Sequence, residues 1–175
     1  MPIIWLVGFR GTGKTTVGRR LAAVTGLGFM DTDQCIEELE RMTIADIFGK
    51  KGEMHFRIAE QQAILQLAVR KNLVVAVGGG ACAREANVIA MRGSGKVVLL
   101  TAEREEIERR LREDQATPHQ RPSLTDRPTL SEEIDHLLQQ RDADYRRAAH
   151  IVVDTTLMGV DEVANTIINQ IRRQR

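Results

Sequence analysis

The segment Gly8–Thr15 constrains the fold of this chain more than any other, because it reads Gly-Phe-Arg-Gly-Thr-Gly-Lys-Thr and matches the pattern G-x-x-x-x-G-K-[ST]. The apolar run 3–7 precedes it and indicates a buried strand. Residues 14–25 follow it, with apolar positions on one helical face. A strand, a glycine-rich turn and a helix start in this order bring backbone N–H groups and the positive end of the helix dipole onto one phosphate. The sequence therefore predicts a phosphate-binding loop, the P-loop.

Within the P-loop, each residue type has a physical purpose. Glycines allow positive φ and a close approach of the backbone to a ligand. Lys14 suits the β and γ phosphates of a nucleotide, and the Thr15 hydroxyl suits Mg²⁺. The predicted nucleotide ligands in this region are Gly11, Thr12, Gly13, Lys14, Thr15 and Thr16. The alternative, a glycine-rich turn that matches by chance, is disfavoured by the strand and helix on either side.

The composition of the 175 residues excludes several classes of protein. With 25 basic and 24 acidic side chains, the net charge of +1 gives no electrostatic case for a nucleic-acid partner or an anionic membrane. An aromatic content of 3% disfavours stacking on bases. Two cysteines are too few for a disulfide framework, and no signal peptide or apolar span of about 18 residues is expected. We expect one cytoplasmic domain, residues 1–175.

Short β-rich runs alternate with longer helical patterns along the chain. The predicted strands are 3–7, 28–31, 73–77, 96–100 and 150–153. The predicted helices lie near 14–25, 33–41, 53–71, 84–92, 103–113, 130–148 and 159–173. Nearly continuous Val, Leu and Ile runs suit strands that are buried on both faces of a parallel sheet. The alternation therefore predicts a doubly wound α/β domain.

One stretch interrupts this alternation. Residues 114–128 contain three of the four prolines and little apolar periodicity, which predicts a long surface loop. Loops of this length inside a compact domain often close over active sites, so we predict a lid at about 113–128. A tolerated insertion is the alternative.

Two further motifs directly follow predicted strands, at the edge where parallel sheets bind ligands. Asp31 and Asp33 flank Thr32, and alternation along an extended chain would aim both carboxylates to the same side. One would serve Mg²⁺ and the other a substrate hydroxyl; alternatively, Asp33 is only a helix N-cap. Gly78, Gly79 and Gly80 would let the backbone approach a ligand, although a flexible turn remains the alternative.

Charged residues elsewhere are ambiguous taken singly. Arg57 and Glu60 have helical i, i+3 spacing, which is equally typical of a surface ion pair. Arg121 lies in the predicted lid, and Arg141 precedes Tyr145 on a predicted helix. Single arginines are mostly exposed to solvent, so spacing alone does not select these residues.

Taken together and in order, these motifs resemble the shikimate kinase family. The matching segments are Gly11-Thr12-Gly13-Lys14-Thr15-Thr16, Asp31-Thr32-Asp33, Phe56-Arg57-x-x-Glu60, Gly78-Gly79-Gly80, Arg121-Pro122-x-Leu124 and Arg141-x-x-x-Tyr145. The resemblance extends from Gly8 to Asp154 and is nearest to the enterobacterial type II form, through His119–Pro128. It implies a three-layer P-loop fold similar to nucleoside monophosphate kinases, with a five-stranded parallel sheet of order 2-3-1-4-5 and a lid.

The resemblance also implies a reaction and its ligands. The γ-phosphoryl of ATP would move to the 3-hydroxyl of shikimate. Lys14 and Arg121 would neutralise the transferred group, while Thr15 and Asp31 would hold Mg²⁺. Arg110 would stack on adenine, and the loop after Thr155 would close over the adenine edge. A monomer is suggested by the family.

For the acceptor, the resemblance implies a substrate-binding region at about 33–60. Asp33 would orient the hydroxyl and accept its proton. Arg57 and Arg141 would bind the shikimate carboxylate, with Glu60 holding the arginines in place. Gly79, within Gly78–Gly80, would contact substrate through its backbone.

Some positions depart from the family pattern or stay open. Val77 stands where a Thr or Ser is usual, which leaves the metal's water shell with one hydroxyl fewer. Arg109 and Arg112 are alternatives to Arg110 as the residue that stacks on adenine, and whether Arg10 points toward substrate or phosphate stays open. A gluconate or nucleotide kinase is a second hypothesis, and a catalytically silent nucleotide-binding module is a third.

Overall fold

The computed structural model describes residues 2–114 and 129–174. Within them, the strands are β1 (Ile3–Val7), β2 (Gly28–Asp31), β3 (Leu73–Ala76), β4 (Gly95–Thr101) and β5 (Ile151–Asp154). The α-helices are α1 (Lys14–Thr25), α2 (Thr32–Glu40), α3 (Ile44–Ala68), α4 (Glu85–Ser94), α5 (Arg104–Glu113), α6 (Leu130–Ala148) and α7 (Val160–Arg173). A short 3-10 helix, Ala81–Ala83, precedes α4.

The five strands form one parallel sheet in the order β2-β3-β1-β4-β5, which confirms the prediction. Its central strand is buried on both faces, because Ile3, Trp5 and Val7 pack into one core cluster while Ile4 and Leu6 pack into the other. Burying one such large apolar side chain contributes about 1.5–3 kcal/mol to the free energy of folding, relative to leaving it exposed to water. Helices cover both faces of the sheet. The polar motifs therefore lie at the carboxyl ends of the strands, where open parallel sheets bind ligands.

The main departure from the predicted elements is in α3. Residues 44–51 are helical, although no helix was predicted there. Thr43 begins this helix by accepting the backbone N–H of Asp46 at 3.1 Å, a capping signal that the glycines further along obscured. Gly52 breaks the helix with φ 82°, and the predicted helix then continues. The two helical segments of α3 contact each other across this break, since the ring centroids of Phe48 and Phe56 are 4.8 Å apart.

Candidate active site

The P-loop leaves the carboxyl end of β1 and passes directly into α1. Its glycines have the predicted positive φ, 136° at Gly8, 79° at Gly11 and 89° at Gly13. Gly8 cannot be replaced without cost, because a Cβ would also overlap the Leu100 carbonyl oxygen in β4. The Lys14 ammonium donates to the carbonyl oxygens of Gly8 and Phe9, both at 2.8 Å. The loop is thus curled around the lysine that the sequence singled out.

Asp31 connects the P-loop to β2 and α2. Thr15 donates its hydroxyl to Oδ2 of Asp31 at 2.9 Å, and Oδ1 of Asp31 accepts the Asp33 backbone N–H at 3.0 Å. Asp31 is therefore the N-cap of α2, and the alternative that Asp33 is the cap is wrong. The alternation argument is also wrong, because the chain becomes helical at Thr32. Both carboxylates nevertheless line the same cleft, since Asp33 lies in the first turn of α2.

An open cleft, here called the P-loop cleft, runs along the loop. Its lining includes residues singled out in the sequence: Gly11, Gly13, Lys14, Thr15, Thr16, Asp31, Asp33 and Arg110. Thr12 and Thr155 are buried behind it, at 1% and 2% exposure. The Thr12 hydroxyl donates to the Phe9 carbonyl at 2.7 Å, and the Thr155 hydroxyl donates to the Thr101 carbonyl at 2.9 Å. These two threonines shape the cleft without lining it.

Arg110 is the arginine of α5 that faces the P-loop cleft. Its guanidinium donates to the Gly11 carbonyl at 3.2 Å and to the Thr155 carbonyl at 2.7 Å. Both Arg110 and Arg109 pair with Glu106, each at 2.7 Å. Arg109 pairs with Glu113 as well, and its side chain is 55% exposed, against 24% for Arg110. Arg112 pairs with Glu108 on the outer surface, so its side chain also lies away from the cleft. The geometry therefore favours Arg110 over Arg109 and Arg112 as the residue that contacts adenine.

A second, adjoining hollow is here called the arginine pocket. It is lined by Arg10, Asp33, Ile44, Phe48, Phe56, Arg57, Glu60, Gly78, Gly79, Gly80 and Arg141. Three of these residues, Arg10, Asp33 and Ile44, line the P-loop cleft as well. The two hollows therefore meet at Arg10 and Asp33, and motifs from five separate parts of the sequence come together in one place.

Arg57 and Glu60 form one wall of the arginine pocket. Nη1 of Arg57 donates to Oε2 of Glu60 at 3.0 Å, and the Glu60 side chain is fully buried. The alternative of a surface ion pair is therefore wrong. Burial raises the pKa of Glu60 above its ordinary value, against the opposing effect of Arg57. The buried carboxylate fixes the plane of the guanidinium. The outer edge of Arg57 donates to Oε1 of the exposed Glu53, from Nε at 3.3 Å and from Nη2 at 3.2 Å, so an anion that binds at this edge competes with Glu53.

Gly78, Gly79 and Gly80 line the arginine pocket together with the Arg57–Glu60 pair and with Arg141. The Gly78 backbone N–H donates to the Thr32 hydroxyl at 3.0 Å. The Gly79 carbonyl accepts the Tyr145 hydroxyl, and it also accepts Nη1 of Arg141 at 3.3 Å. This backbone is hydrogen-bonded to both α2 and α6, which disfavours the flexible-turn alternative. Within the described residues, Arg141 forms no ion pair with a carboxylate, so its charge is open to a ligand.

Sequence reasoning missed the apolar side of the arginine pocket. Ile44, Phe48 and Phe56 line it, and the Phe48 and Phe56 ring centroids are 4.8 Å apart. Ile44 and Phe48 belong to the unpredicted part of α3. The Thr43 capping signal would have revealed that helix, although only the fold shows which face it turns to the pocket. Of the lid predicted at about 113–128, residue 113 is the last residue of α5, and residues 115–128, which include Arg121, lie outside the described residues.

Within the described residues, we find no helix that is both long enough and apolar enough to cross a membrane.

Comparisons with known proteins agree on one family. The family model for shikimate kinase matches residues 10–172. Shikimate kinase 2 of Dickeya chrysanthemi is 47% identical over 155 residues, which covers 87% of each chain. Shikimate kinase of Thermoanaerobacter pseudethanolicus is 40% identical over 168 residues, 96% of this chain and 95% of that one. The solved structure of Acinetobacter baumannii shikimate kinase in complex with shikimate is 36% identical, with a TM-score of 0.92 over all of this chain and 95% of that one. This chain therefore belongs to the shikimate kinase family.

Proposed function

We propose that this enzyme transfers the γ-phosphoryl group of ATP to the 3-hydroxyl of shikimate, giving shikimate 3-phosphate and ADP on the route to chorismate and the aromatic amino acids. The observation that carries the proposal is the meeting of two hollows at Arg10 and Asp33. One hollow has the residues for a nucleotide, and the other has those for a small hydroxylated acid. Family membership supports the same reaction.

In the proposed complex, shikimate occupies the arginine pocket. Its carboxylate binds to Arg57 and Arg141, because planar guanidinium groups pair with both oxygens of a carboxylate. Glu60 supports this role by holding Arg57 from behind at 3.0 Å. The ring lies against Phe48 and Phe56, while Gly78–Gly80 contribute backbone contacts.

Asp33 lies where the acceptor hydroxyl must meet the phosphoryl donor, since it lines both hollows. We assign it the orientation of the 3-hydroxyl and the acceptance of its proton. In phosphoryl transfer, positioning and charge neutralisation supply most of the rate, because the transition state is loose. A carboxylate fixed in the first turn of α2 meets the positioning requirement.

ATP occupies the P-loop cleft in this proposal. The backbone N–H groups from Gly11 to Thr16 bind its phosphates, and Lys14 neutralises the β and γ groups. Arg110 contacts the adenine, supported by its bonds to the Gly11 and Thr155 carbonyls. Arg121 and the lid at about 113–128 would complete the site and exclude water that competes with shikimate.

The oxygen donors between the P-loop and β2 fit Mg²⁺. The Thr15 hydroxyl and an Asp31 carboxylate oxygen lie 2.9 Å apart beside the cleft. In the described parts of the chain, no cluster of three or more His, Cys, Asp or Glu could hold a metal alone. Mg²⁺ suits such a sparse site, since it usually binds one or two carboxylates and takes its other ligands from water and phosphate. When bound, Mg²⁺ neutralises charge on the β and γ phosphates. We propose that Thr15 ligates it and that Asp31 reaches it through water.

Three wider assignments follow from the same proposal. Residues 1–175 act as one domain, with a substrate-binding region at about 33–60. The enzyme works as a monomer, as the resemblance to the family suggests. It works in the cytoplasm, where ATP is available.

The test is ADP release by the purified enzyme with Mg²⁺ and ATP, comparing shikimate with gluconate and nucleoside monophosphates as acceptors. We expect turnover with shikimate alone. Asp33→Asn should reduce kcat by about a thousandfold or more while both substrates still bind, because the general base and its charge are lost together. Glu38→Gln, an exposed change on the same helix, is the matched control. Turnover with gluconate but not shikimate would refute the proposal.

A further inference from the structure

We propose that Glu133 is a positioning residue of this reaction: it holds the Arg10 guanidinium at the boundary between the P-loop cleft and the arginine pocket. Arg10 faces the path of the phosphoryl group, and Glu133 acts through Arg10. The inference rests on the proposed function, because it assigns these residues to the transfer of phosphoryl between the two hollows.

The position of Arg10 is the first argument. It belongs to the P-loop, yet it lines both hollows. Its Nη2 donates to Oε1 of Glu133 on α6, and the two side chains are only 11% and 6% exposed. In residues 2–114 and 129–174, the Nε–H of Arg10 is buried and has no hydrogen-bond acceptor. A buried N–H without an acceptor is costly, so a substrate or phosphate oxygen at this boundary would relieve the cost.

The charges around Arg10 are the second argument. Among the described residues, three guanidinium groups line the arginine pocket, those of Arg10, Arg57 and Arg141. Burial and the like charge of Arg141 lower the pKa of Arg10, while Glu133 opposes both effects. Without the Glu133 carboxylate, Arg10 would be driven away from Arg141 and toward solvent, because a buried charge requires a partner. Glu133 therefore keeps a positive charge where repulsion would otherwise remove it.

The element that carries Glu133 is the third argument. Glu133 and Arg141 are eight residues apart on α6, with buried Leu137 midway between them. Side chains four apart lie on the same helical face. The Arg10–Glu133 pair therefore fixes the P-loop relative to the helix that supplies Arg141 and Tyr145. The buried Arg10–Glu133 ion pair thus fixes the position of the P-loop cleft relative to the arginine pocket.

A double-mutant cycle tests this inference. We expect Glu133→Gln to lower kcat/KM for shikimate at saturating ATP by about tenfold, since a charged hydrogen bond is replaced by a neutral one. Glu132→Gln removes an exposed charge from the same helical turn and should change kcat/KM by less than about twofold. In an Arg10→Met background, Glu133→Gln should cause less than about a twofold further loss, because its effect passes through Arg10.

Thermal unfolding of the same variants distinguishes a positioning role of Glu133 from a purely stabilising one. Glu133→Gln leaves a buried guanidinium uncompensated, so its unfolding midpoint should fall, whereas the Arg10→Met, Glu133→Gln double variant should regain part of that loss. The kcat/KM of the double variant for shikimate should nevertheless stay low, because Arg10 is absent from it. The inference is overturned if Glu133→Gln keeps kcat/KM within about twofold of wild type, or if it causes the same loss in the Arg10→Met background. A failure of the proposed function would appear in the wild-type enzyme itself, as absent turnover of shikimate.

Discussion

The backbone of Gly80 lies directly against the guanidinium of Arg57. A Cβ on Gly80 would stand 2.5 Å from Nη1 and 2.7 Å from Nη2 of Arg57. The φ of Gly80 is −102°, which any residue can adopt, so a side chain here would disturb the contact with Arg57 and not the backbone conformation. The third residue of the triple glycine therefore sets where the Arg57 guanidinium can lie.

Gly80→Ala should consequently displace Arg57 and raise KM for shikimate by about tenfold, with KM for ATP changed by less than about twofold. Gly93→Ala is the matched control, because a Cβ on Gly93 in α4 meets nothing within 4 Å. That change should leave kinetics unaltered and stabilise the protein by about 0.5–1 kcal/mol. Steady-state kinetics and urea unfolding measure both effects. An unchanged KM for shikimate in Gly80→Ala would show that the position of Arg57 is not critical.

Arg141 and Arg146 lie on the same helix but face different surroundings. Arg141 lines the arginine pocket, whereas Arg146 is exposed and pairs with Asp142. Arg141→Ala should raise KM for shikimate by about a hundredfold, since a buried charged contact to carboxylate contributes about 1.5–3 kcal/mol. Arg146→Ala should have almost no effect. Calorimetric titration with shikimate checks the assignment, which fails if the two variants bind shikimate equally.

Arg110 and Arg109 are neighbours in sequence that offer a similar comparison for ATP. Of these two arginines, Arg110 lines the P-loop cleft and Arg109 does not. Arg110→Ala should raise KM for ATP by about tenfold with little change in KM for shikimate, whereas Arg109→Ala should change neither by more than about twofold. Equal effects of the two variants on ATP would mean that adenine is not recognised through this face of α5.

His150 should make stability depend on pH. Its Nδ1 accepts the Val97 backbone N–H at 3.0 Å, so a proton on Nδ1 would break that bond. Burial, with Arg92 and Lys96 nearby, lowers the pKa of His150 below 6.5. Because the unfolded chain binds this proton more readily, the stability from neutral His150 is present above 6.5 and is lost as pH falls through the lower folded pKa.

Urea unfolding of wild type and His150→Gln between about pH 5 and pH 8 measures this effect. The free energy of unfolding of wild type should fall relative to that of the variant as the solution is acidified. Parallel curves for the two proteins would contradict the assignment.

Local sequence patterns predicted much of this protein because the interactions behind them are local. The P-loop glycines need positive φ wherever they occur, and β1 reads as a doubly buried strand from its own five residues. The helix at 44–51 was missed because its signal, the Thr43 cap, lies beside glycines that argue against a helix. The ordered series of motifs identified the family, although each short motif other than the P-loop was weak.

The sequence by itself determined the α/β class, the P-loop and the family, since residue type and spacing suffice for the positive φ of the P-loop glycines, for the alternation of strands and helices, and for motif order. Only the tertiary structure decided which charged residues are buried together. Glu60 is fully buried rather than at the surface, Arg110 rather than Arg109 faces the cleft, and Arg10 meets Glu133 across more than a hundred residues. Burial and pairing across the chain depend on how the helices pack on the sheet, and that packing is not a property of any local segment.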